Sequence, residues 1–353
     1  MKIRYCALLL PKLIIIFSSF NLIAQKIRNQ KDTVGFAQYE WQMDSIMARM
    51  DAEDKTVTPE VYKAVISPHD DYAYAAGLYN KTLAGIKAQT IILVGVAHKA
   101  RNFKLQDKIV FGSYQQWKSP YGNIEVSPIR DKLIQKLPSQ DFIVHDSMMQ
   151  TEHSLEAITP FLKKNNPKTT IIPLLVPYMK YTDMRKFSGD LAGALYQIMK
   201  EENLQYGKDV AVVISTDAIH YGDEDWGGSN LAPYGTDILG TAKARQKDLD
   251  ISNEFLSGTI DNEKIRDFTK ATVQEKDYKE YKWTWCGRYS VPFGLLLANN
   301  LNLLLDGNPL YGKKIDYRSS IHNTHIEVKD IGMGTTAPAN TQHWVGYVGM
   351  AYE

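Results

Sequence analysis

The chain has 353 residues, enough for one large domain or two, and its 41 Lys and Arg residues nearly balance 40 Asp and Glu residues, giving a net charge of +1. A chain so close to neutral gives no indication of a nucleic-acid partner or an anionic-membrane partner. No linker rich in Pro, Gly or Ser divides it, so we expect a single main domain.

The first 25 residues, MKIRYCALLLPKLIIIFSSFNLIAQ, have the pattern of a secretory signal peptide. A basic start with Lys2 and Arg4 precedes an apolar run that ends in small and polar residues. A proline and a lysine interrupt this run, which disfavours an anchor of about 20 uninterrupted apolar residues. We therefore predict a protein that is exported to the periplasm or the extracellular space, without stable membrane insertion once residues 1–25 are cleaved.

Residues 26–59 are polar and are predicted to form an N-terminal helical extension, followed by one domain over residues 60–353. In this domain, apolar β-branched runs alternate with segments of helical spacing. The predicted strands are VYKAVIS, QTIILVGV, DKIVFGS, DFIVHD, TTIIPLLVPY, DVAVVIST, KIDYRSS and HWVGYVGMAYE. The alternation predicts an α/β fold with a mainly parallel sheet flanked by helices on both faces.

Polar side chains follow three of the predicted strands. They are His69, Asp70 and Asp71 after the first strand, His98 after the second, and Asp217 with His220 after DVAVVIST. Ligands of open α/β sheets bind beyond the carboxyl ends of the strands, so we expect these groups to converge. Histidine suits iron, copper and zinc, and carboxylates add oxygen ligands. The set is a candidate metal site, although any single member is also explained as a packed histidine or a turn cap.

The segment QTEHSLEAITPFL places Glu152 and His153 at the start of a predicted helix. Acidic residues are favoured in a first helical turn, which is the structural interpretation. The functional interpretation makes His153 a proton donor or a partner of a metal ligand.

Cys286 is the only cysteine left once residues 1–25 are removed, so the mature chain cannot form an internal disulfide. An unpaired thiol outside the cytoplasm is oxidised unless it is buried or bound. Cys286 precedes a glycine and a predicted helix, where it is either a small buried hydrophobic residue or a metal ligand or reactive group.

These segments, taken in order, resemble the Memo-like family, whose bacterial members are called AmmeMemoRadiSam system protein B. The resemblance covers about residues 60–353 and is carried by SPHDDYAYAAG, LVGVAH, SPYGNIEV, TEHSLEAITPFL, ISTDAIHYG, WCGRYSVPFG and VGYVGMAY. It implies a fold similar to that of class III extradiol dioxygenases, which hold non-haem iron at the edge of an α/β sheet. It also implies that His69, His98 and Cys286 are the metal ligands. The pocket residues that it implies are Glu152, His153, Asp217 and His220.

Two features depart from the family pattern. Asp70 and Asp71 stand where the family has Ala-Gly, which adds negative charge beside the site and offers an extra oxygen ligand. The signal peptide would separate this protein from the radical-SAM partner that the family name implies, since that partner would stay in the cytoplasm.

The leading hypothesis is a metal-dependent oxidoreductase, similar to a dioxygenase, that uses iron or copper on a small-molecule substrate of unknown identity. His153 or His220 would move protons, and Asp217 or Glu152 would fix the tautomer of a neighbouring imidazole. One alternative is a zinc-dependent hydrolase in which Glu152 or Asp217 is the general base. The other is a secreted protein that binds a metal or a peptide without catalysis.

Overall fold

A computed structural model describes residues 26–55, 58, 60–222 and 231–353 of the chain. The predicted signal peptide, residues 1–25, lies outside the described residues. The strands are β1 (Ile27–Arg28), β2 (Ala64–Ser67), β3 (Thr90–Val96), β4 (Ile109–Phe111), β5 (Gln116–Trp117), β6 (Ile124–Val126), β7 (Phe142–Val144), β8 (Thr170–Val176), β9 (Val210–Ser215), β10 (His220–Gly222), β11 (Gly258–Thr259), β12 (Tyr311–Ser319) and β13 (His343–Tyr352). The α-helices are α1 (Glu40–Arg49), α2 (Tyr72–Leu83), α3 (Ile129–Lys136), α4 (Asp146–Thr151), α5 (Thr159–Asn165), α6 (Tyr181–Glu201), α7 (Ile238–Leu256), α8 (Asn262–Thr272) and α9 (Ser290–Asp306).

The centre of the sheet is parallel, and its strands lie in the order β6-β8-β3-β9-β2. Strands β3 (TIILVGV) and β9 (VAVVIS) are buried along nearly their whole length. Such continuous apolar runs are typical of strands that are covered on both faces. Because β2, β3 and β9 are parallel neighbours, their carboxyl ends lie side by side at one edge of the sheet.

Outside this centre, most of the sheet is antiparallel, although β1 pairs with β5 and β4 with β7 in the parallel sense. It continues from β2 through β13, β12 and β11, while β5 pairs with β6 and β4 with β8 in the same antiparallel sense. The α/β prediction is confirmed, but the sheet is mixed, and the parallel pattern is concentrated at its centre. Strand direction depends on the connection between strands: β12 reaches β13 through residues 320–342, which contain no crossover α-helix.

Helices cover both faces of the sheet, as predicted. Ile92 and Val94 of β3 belong to a core that includes residues of α3, α6, α7, α8 and α9. Ile91 and Leu93 belong to a second core, with residues of α1, α2, α4 and α5. Successive side chains of a strand point to opposite faces, so β3 contributes alternately to the two cores.

The N-terminal segment contains a strand as well as a helix. Strand β1 pairs with β5, and α1 buries Met43 and Ile46. The Arg28 side chain is completely buried. Residues 26–55 therefore pack onto the same body as the following chain. None of the helices within the described residues has the length and apolar character needed to cross a membrane.

Candidate metal centre

Three predicted site residues occupy equivalent positions at the edge of the sheet. His69, His98 and Asp217 each lie two residues beyond the end of their strand, β2, β3 and β9 respectively. The parallel pairing of these strands brings the three side chains together, although 148 positions separate His69 from Asp217 in sequence. The backbone N–H of His69 donates a hydrogen bond to Asp217 Oδ1 at 2.9 Å. The predicted convergence at the strand ends is therefore present.

Cys286 lies between two of the histidines. Its Sγ is 3.2 Å from His69 Nε2 and 3.0 Å from His98 Nε2. Its side chain belongs to the buried set, at 4% exposure. Burial alone would raise the pKa of Cys286, but the charges on His98 and His69 lower it well below its usual value. The geometry therefore favours a thiolate, the form in which cysteine binds a metal.

Glu152 orients His98. Glu152 Oε1 lies 2.7 Å from His98 Nδ1, and Oε2 accepts the His98 backbone N–H at 2.7 Å. Burial lowers the pKa of His98, but the charges on Glu152 and Cys286 raise it well above its usual value. With Nδ1 engaged by a carboxylate, Nε2 faces Cys286 and is the nitrogen available to a metal.

The position of Glu152 and His153 corrects the predicted helix start. Helix α4 ends at Thr151 and α5 begins only at Thr159, so both residues lie in the intervening loop. The reason is the carboxylate of Glu152, which turns back and accepts the backbone N–H groups of His153 and Ser154, both at 3.0 Å. The loop thereby places this carboxylate next to Nδ1 of the His98 ring.

Ser215, which the sequence did not single out, fixes His69. Its hydroxyl donates its one hydrogen to the carbonyl of Ser154 at 2.5 Å. Ser215 Oγ must therefore accept from the other neighbour, His69 Nδ1, at 2.9 Å. His69 consequently carries a proton on Nδ1, and Nε2 is the nitrogen that faces Cys286. A serine that ends a strand directly before a polar turn is the only signal in the sequence.

Asp217 and His220 complete the side of the site next to His69. Asp217 Oδ2 lies 3.4 Å from His69 Nε2 and 3.7 Å from His220 Nε2. Burial acts to lower the pKa of His220, but the adjacent carboxylate of Asp217 raises it to about 10. Burial acts to raise the pKa of Asp217, but the neighbouring His69 and His220 bring it to about 2. The pair thus favours a carboxylate and a protonated imidazole.

His153 stacks on His98 from the outer side. The two rings are nearly parallel, with centroids 4.7 Å apart, and His69 presents its edge at 5.8 Å. Burial and the positive charge of His98 lower the pKa of His153 to about 4. A neutral imidazole at this position is able to accept a proton.

Asp248 is a further residue that sequence reasoning missed. Its buried carboxylate accepts hydrogen bonds from the indoles of Trp283 and Trp285, the hydroxyl of Tyr317 and the backbone N–H of Ile219. Since Trp285 directly precedes Cys286, these bonds hold the segment that carries the thiol. The contacts join α7 to distant loops, so no local sequence pattern reveals them.

The carboxyl groups of Asp70 and Asp71 accept hydrogen bonds from groups other than the imidazoles. Asp70 accepts hydrogen bonds from the Tyr347 hydroxyl at 2.5 Å and from the Asp71 backbone at 2.7 Å. Asp71 accepts from the backbone and the hydroxyl of Thr336. Burial raises the pKa of Asp70 to about 6 and that of Asp71 to about 8. Neither carboxylate belongs to a potential metal-binding group within the described residues.

The donor atoms fit a metal ion. Two groups of described residues bring ligand atoms within 4.8 Å of one another: His69 with His98 and His153, and His69 with Asp217 and Cys286. A nitrogen and a sulfur bound to one tetrahedral ion at about 2.1 and 2.3 Å would lie roughly 3.6 Å apart. The two nitrogen–sulfur distances at Cys286 are 3.0 and 3.2 Å, so a small outward shift of the thiolate would admit an ion.

A cavity of about 440 Å³ opens beside these ligands. His98 and Cys286 form part of its wall, and Tyr178, Tyr281 and Tyr289 form an aromatic part. A small organic molecule fits within this volume. His98 and Cys286 are thus accessible from one side, as a site that binds a substrate requires.

Comparison with known proteins gives one family. A family model described as Memo-like protein matches residues 34–337, a range that contains all the predicted site residues. A MEMO1 family protein of Thermococcus kodakarensis is 28% identical over 163 residues, which are 45% of this chain and 53% of that protein. A MEMO1 family protein of Aquifex aeolicus is 30% identical over 125 residues, 34% of this chain and 32% of that protein. The chain spans about half the length, or less, of these curated relatives.

Proposed function

The chain belongs to the Memo-like protein family, and on this basis we propose that it binds one iron or copper ion through His69, His98 and Cys286 and oxidises a small organic substrate. The observation that carries the proposal is the position of Cys286 Sγ, 3.0 and 3.2 Å from the Nε2 atoms of the two histidines. The thiol sulfur thus faces an imidazole nitrogen of each histidine at the edge of the sheet, beside an open cavity.

The choice of metal follows from the donor atoms. Thiolate and imidazole are ligands of iron, copper and zinc rather than of magnesium or calcium. A bound iron or copper ion would supply redox chemistry and open positions for substrate and dioxygen. Zinc is the less favoured occupant because it supplies no redox chemistry.

The other residues would hold ligands and move protons. Glu152 and Ser215 hold the Nδ1 atoms of His98 and His69, so each Nε2 is directed at the thiolate. The neutral ring of His153 would accept a proton, and the protonated ring of His220 would donate one. Asp217 stabilises the positive charge of His220.

The hydrolase alternative is less well supported. A general base needs a carboxylate that is free to accept a proton from water. Both oxygens of Glu152 already accept hydrogen bonds, and the charge of His98 holds the pKa of this carboxyl well below its usual value despite burial. Asp217 is engaged with His69 and His220 in the same way.

Export remains part of the proposal and rests on the sequence of residues 1–25. The test is N-terminal sequencing of the protein recovered from the cell envelope or the medium of a producing bacterium. A mature chain that begins near Lys26 supports export. A chain found in the cytoplasm that begins at Met1 contradicts it.

The metal proposal is tested on residues 26–353 purified without oxygen. Metals are counted by mass spectrometry in the unaltered protein, in Cys286→Ser and His98→Ala, and in His322→Ala as a control, since His322 is exposed and outside the site. We expect about one iron or copper per chain in the unaltered protein and the control, and almost none in the two ligand variants. Oxygen uptake is then measured with catechol-like substrates.

Metal content that is unchanged in Cys286→Ser and His98→Ala would contradict the site. If metal is bound but no substrate causes oxygen uptake, the proposed reaction fails and the metal site stands. The two parts of the proposal are thereby separated.

A further inference from the structure

Arg288 is a buried cation in the wall of the cavity beside the metal centre. Its side chain is 5% exposed, and it lines the same cavity as His98 and Cys286. Buried charges in proteins are normally paired with an opposite charge. Within the described part of the chain, Arg288 forms no ion pair with a carboxylate, and the polar side chains that act on it belong to tyrosines rather than to acidic residues.

The groups around Arg288 satisfy only part of its hydrogen-bonding capacity. The guanidinium lies 3.5 Å from the ring centroid of Tyr281 and 4.7 Å from that of Tyr289, which are cation–π distances. Nη2 donates to the carbonyl of Lys279 at 3.0 Å. Nε is buried and has no acceptor among the described residues. A guanidinium carries five N–H donors, so this one retains donors for a ligand.

The charges around the cavity also favour an anion. Its lining contains four cationic side chains, Lys99, Arg101, Lys279 and Arg288, and one carboxylate, Glu280. Glu280 lies 3.7 Å from Arg101, so it is already engaged with another cation. A cleft lined mainly by one sign of charge concentrates ligands of the opposite sign.

We propose that Arg288 binds the carboxylate or phosphate group of the substrate in a bidentate pair, with the apolar part of that molecule against the tyrosine rings. Carboxylates and phosphates match the planar fork of a guanidinium. Because Arg288 follows Cys286 by two positions and shares its cavity, an anion on Arg288 would bring the bound molecule beside the metal ligands. This inference deepens the proposed function, since it names the substrate class of the same cavity.

The test uses fluorine NMR titrations with three probes of similar shape. They are 4-fluorobenzoate, 4-fluorophenyl phosphate and the neutral 4-fluorobenzamide. In the unaltered protein, we expect at least one oxyanion to bind about tenfold or more tightly than the amide. The more tightly bound oxyanion identifies the natural group as carboxylate or phosphate. Oxyanions that bind no better than the amide would overturn the proposal, whatever the variants do.

Two variants locate the site. We expect Arg288→Gln to lose the preference for the oxyanion, whereas Arg266→Gln, a control on an exposed arginine of α8, should keep it. Arg288→Lys keeps the charge but lacks the fork, so the oxyanion should bind about tenfold more weakly. This variant decides the question if Arg288→Gln does not fold. Unchanged oxyanion affinity in a folded Arg288 variant would overturn the proposal.

The titrations are performed on protein freed of metal with a chelator, and metal content after reloading is measured separately. Oxyanion binding without metal uptake would contradict the metal proposal and leave the anion site intact. Metal uptake without oxyanion preference would contradict the anion site and leave the metal proposal intact.

Discussion

Glu152 holds His98 at two points, with one oxygen 2.7 Å from the ring Nδ1 and the other accepting the backbone N–H at 2.7 Å. The same carboxylate accepts the backbone N–H groups of His153 and Ser154. One side chain therefore ties the end of β3 to the loop between α4 and α5. This arrangement predicts that Glu152 sets the direction of a metal ligand without contacting the metal.

Glu152→Gln tests this role. The amide has the same shape, but its NH₂ group cannot accept the hydrogen bonds that one carboxylate oxygen receives. We expect metal affinity to fall about 10- to 100-fold, as for other groups that orient metal-binding histidines. The dissociation constant is measured by competition with a chelator. Glu263→Gln, on an exposed glutamate of α8, is the control, and equal affinity in the two variants would contradict the role.

Gly287 provides a second test, because it lets the Cys286 segment approach Thr216, the residue that follows β9. A Cβ atom at this position would lie 2.1 Å from Thr216 Oγ1 and 2.5 Å from Thr216 Cβ. We expect Gly287→Ala to lower the free energy of unfolding by about 1–3 kcal/mol through overpacking. It should also weaken metal binding, because the thiol is displaced from the two histidines. Chemical denaturation and chelator competition measure the two effects.

Gly189→Ala is the matched control for Gly287→Ala. Gly189 lies inside α6, and its Cβ would meet only Asn300 Nδ2, at 4.0 Å. Alanine is favoured over glycine in a helix, so stability should stay equal or rise by up to about 1 kcal/mol. A stability loss at Gly287 no larger than the change at Gly189 would show that the close contact with Thr216 is unimportant.

A buried ion pair joins strand β1 to the loop between α4 and α5 that carries Glu152. Arg28 Nη1 lies 2.6 Å from Glu156 Oε2, with both side chains almost completely buried, and Nε donates to the Met149 carbonyl at 2.8 Å. Nη2 donates to the carbonyl of Glu152. Arg28 thus supports the loop that orients His98, although it lies 70 positions before that histidine in sequence.

Arg28→Met should lower the free energy of unfolding by about 3–5 kcal/mol, because Glu156 is left buried without its partner. Adding Glu156→Gln should recover part of this loss, since the second variant removes the unpaired charge. Lys26→Met breaks a more exposed ion pair, with Asp146, and should lower stability far less than Arg28→Met. Urea denaturation measures all of these variants. Similar losses for Arg28→Met and Lys26→Met would contradict a structural role for the buried pair.

The convergence of the strand-end residues could be predicted from the sequence because two local signals coincide. Continuous apolar runs mark β2, β3 and β9, and the first polar residues after them mark the edge of the sheet. The position of Cys286 between the histidines came only from the family resemblance, since the cysteine lies 69 positions after Asp217 in sequence. No periodic pattern connects these segments.

The supporting contacts could not be predicted from the sequence. Ser215 and Asp248 act through the directions of their side chains inside the packed protein, which composition and periodicity do not specify. The loop at Glu152 was predicted as a helix start because an acidic residue before an apolar segment is a common helix signal. In the structure, the carboxylate satisfies the backbone of its own loop and a histidine of another strand instead.

The pKa of His153 makes stability depend on pH in the metal-free protein. The pKa is about 4 in the folded chain against an ordinary value of 6.5. Between these values the unfolded chain binds a proton that the folded chain does not, so this residue's contribution is complete above about pH 6.5 and is lost as pH falls toward 4. The full shift corresponds to about 3 kcal/mol. Because 35% of the side chain is exposed, we expect roughly half of that.

His153→Phe isolates this effect, since phenylalanine keeps a ring against His98 but does not titrate. Unfolding free energies of both proteins are measured with urea from pH 7.5 to 4.5 in the presence of a chelator. Other residues, such as His220, titrate in both proteins, so their contributions largely cancel in the difference. The difference at pH 7.5 reports packing alone, and the unaltered protein should lose about 1–2 kcal/mol more than the variant on acidification. Parallel curves across this range would mean that His153 titrates normally and is not held neutral by His98.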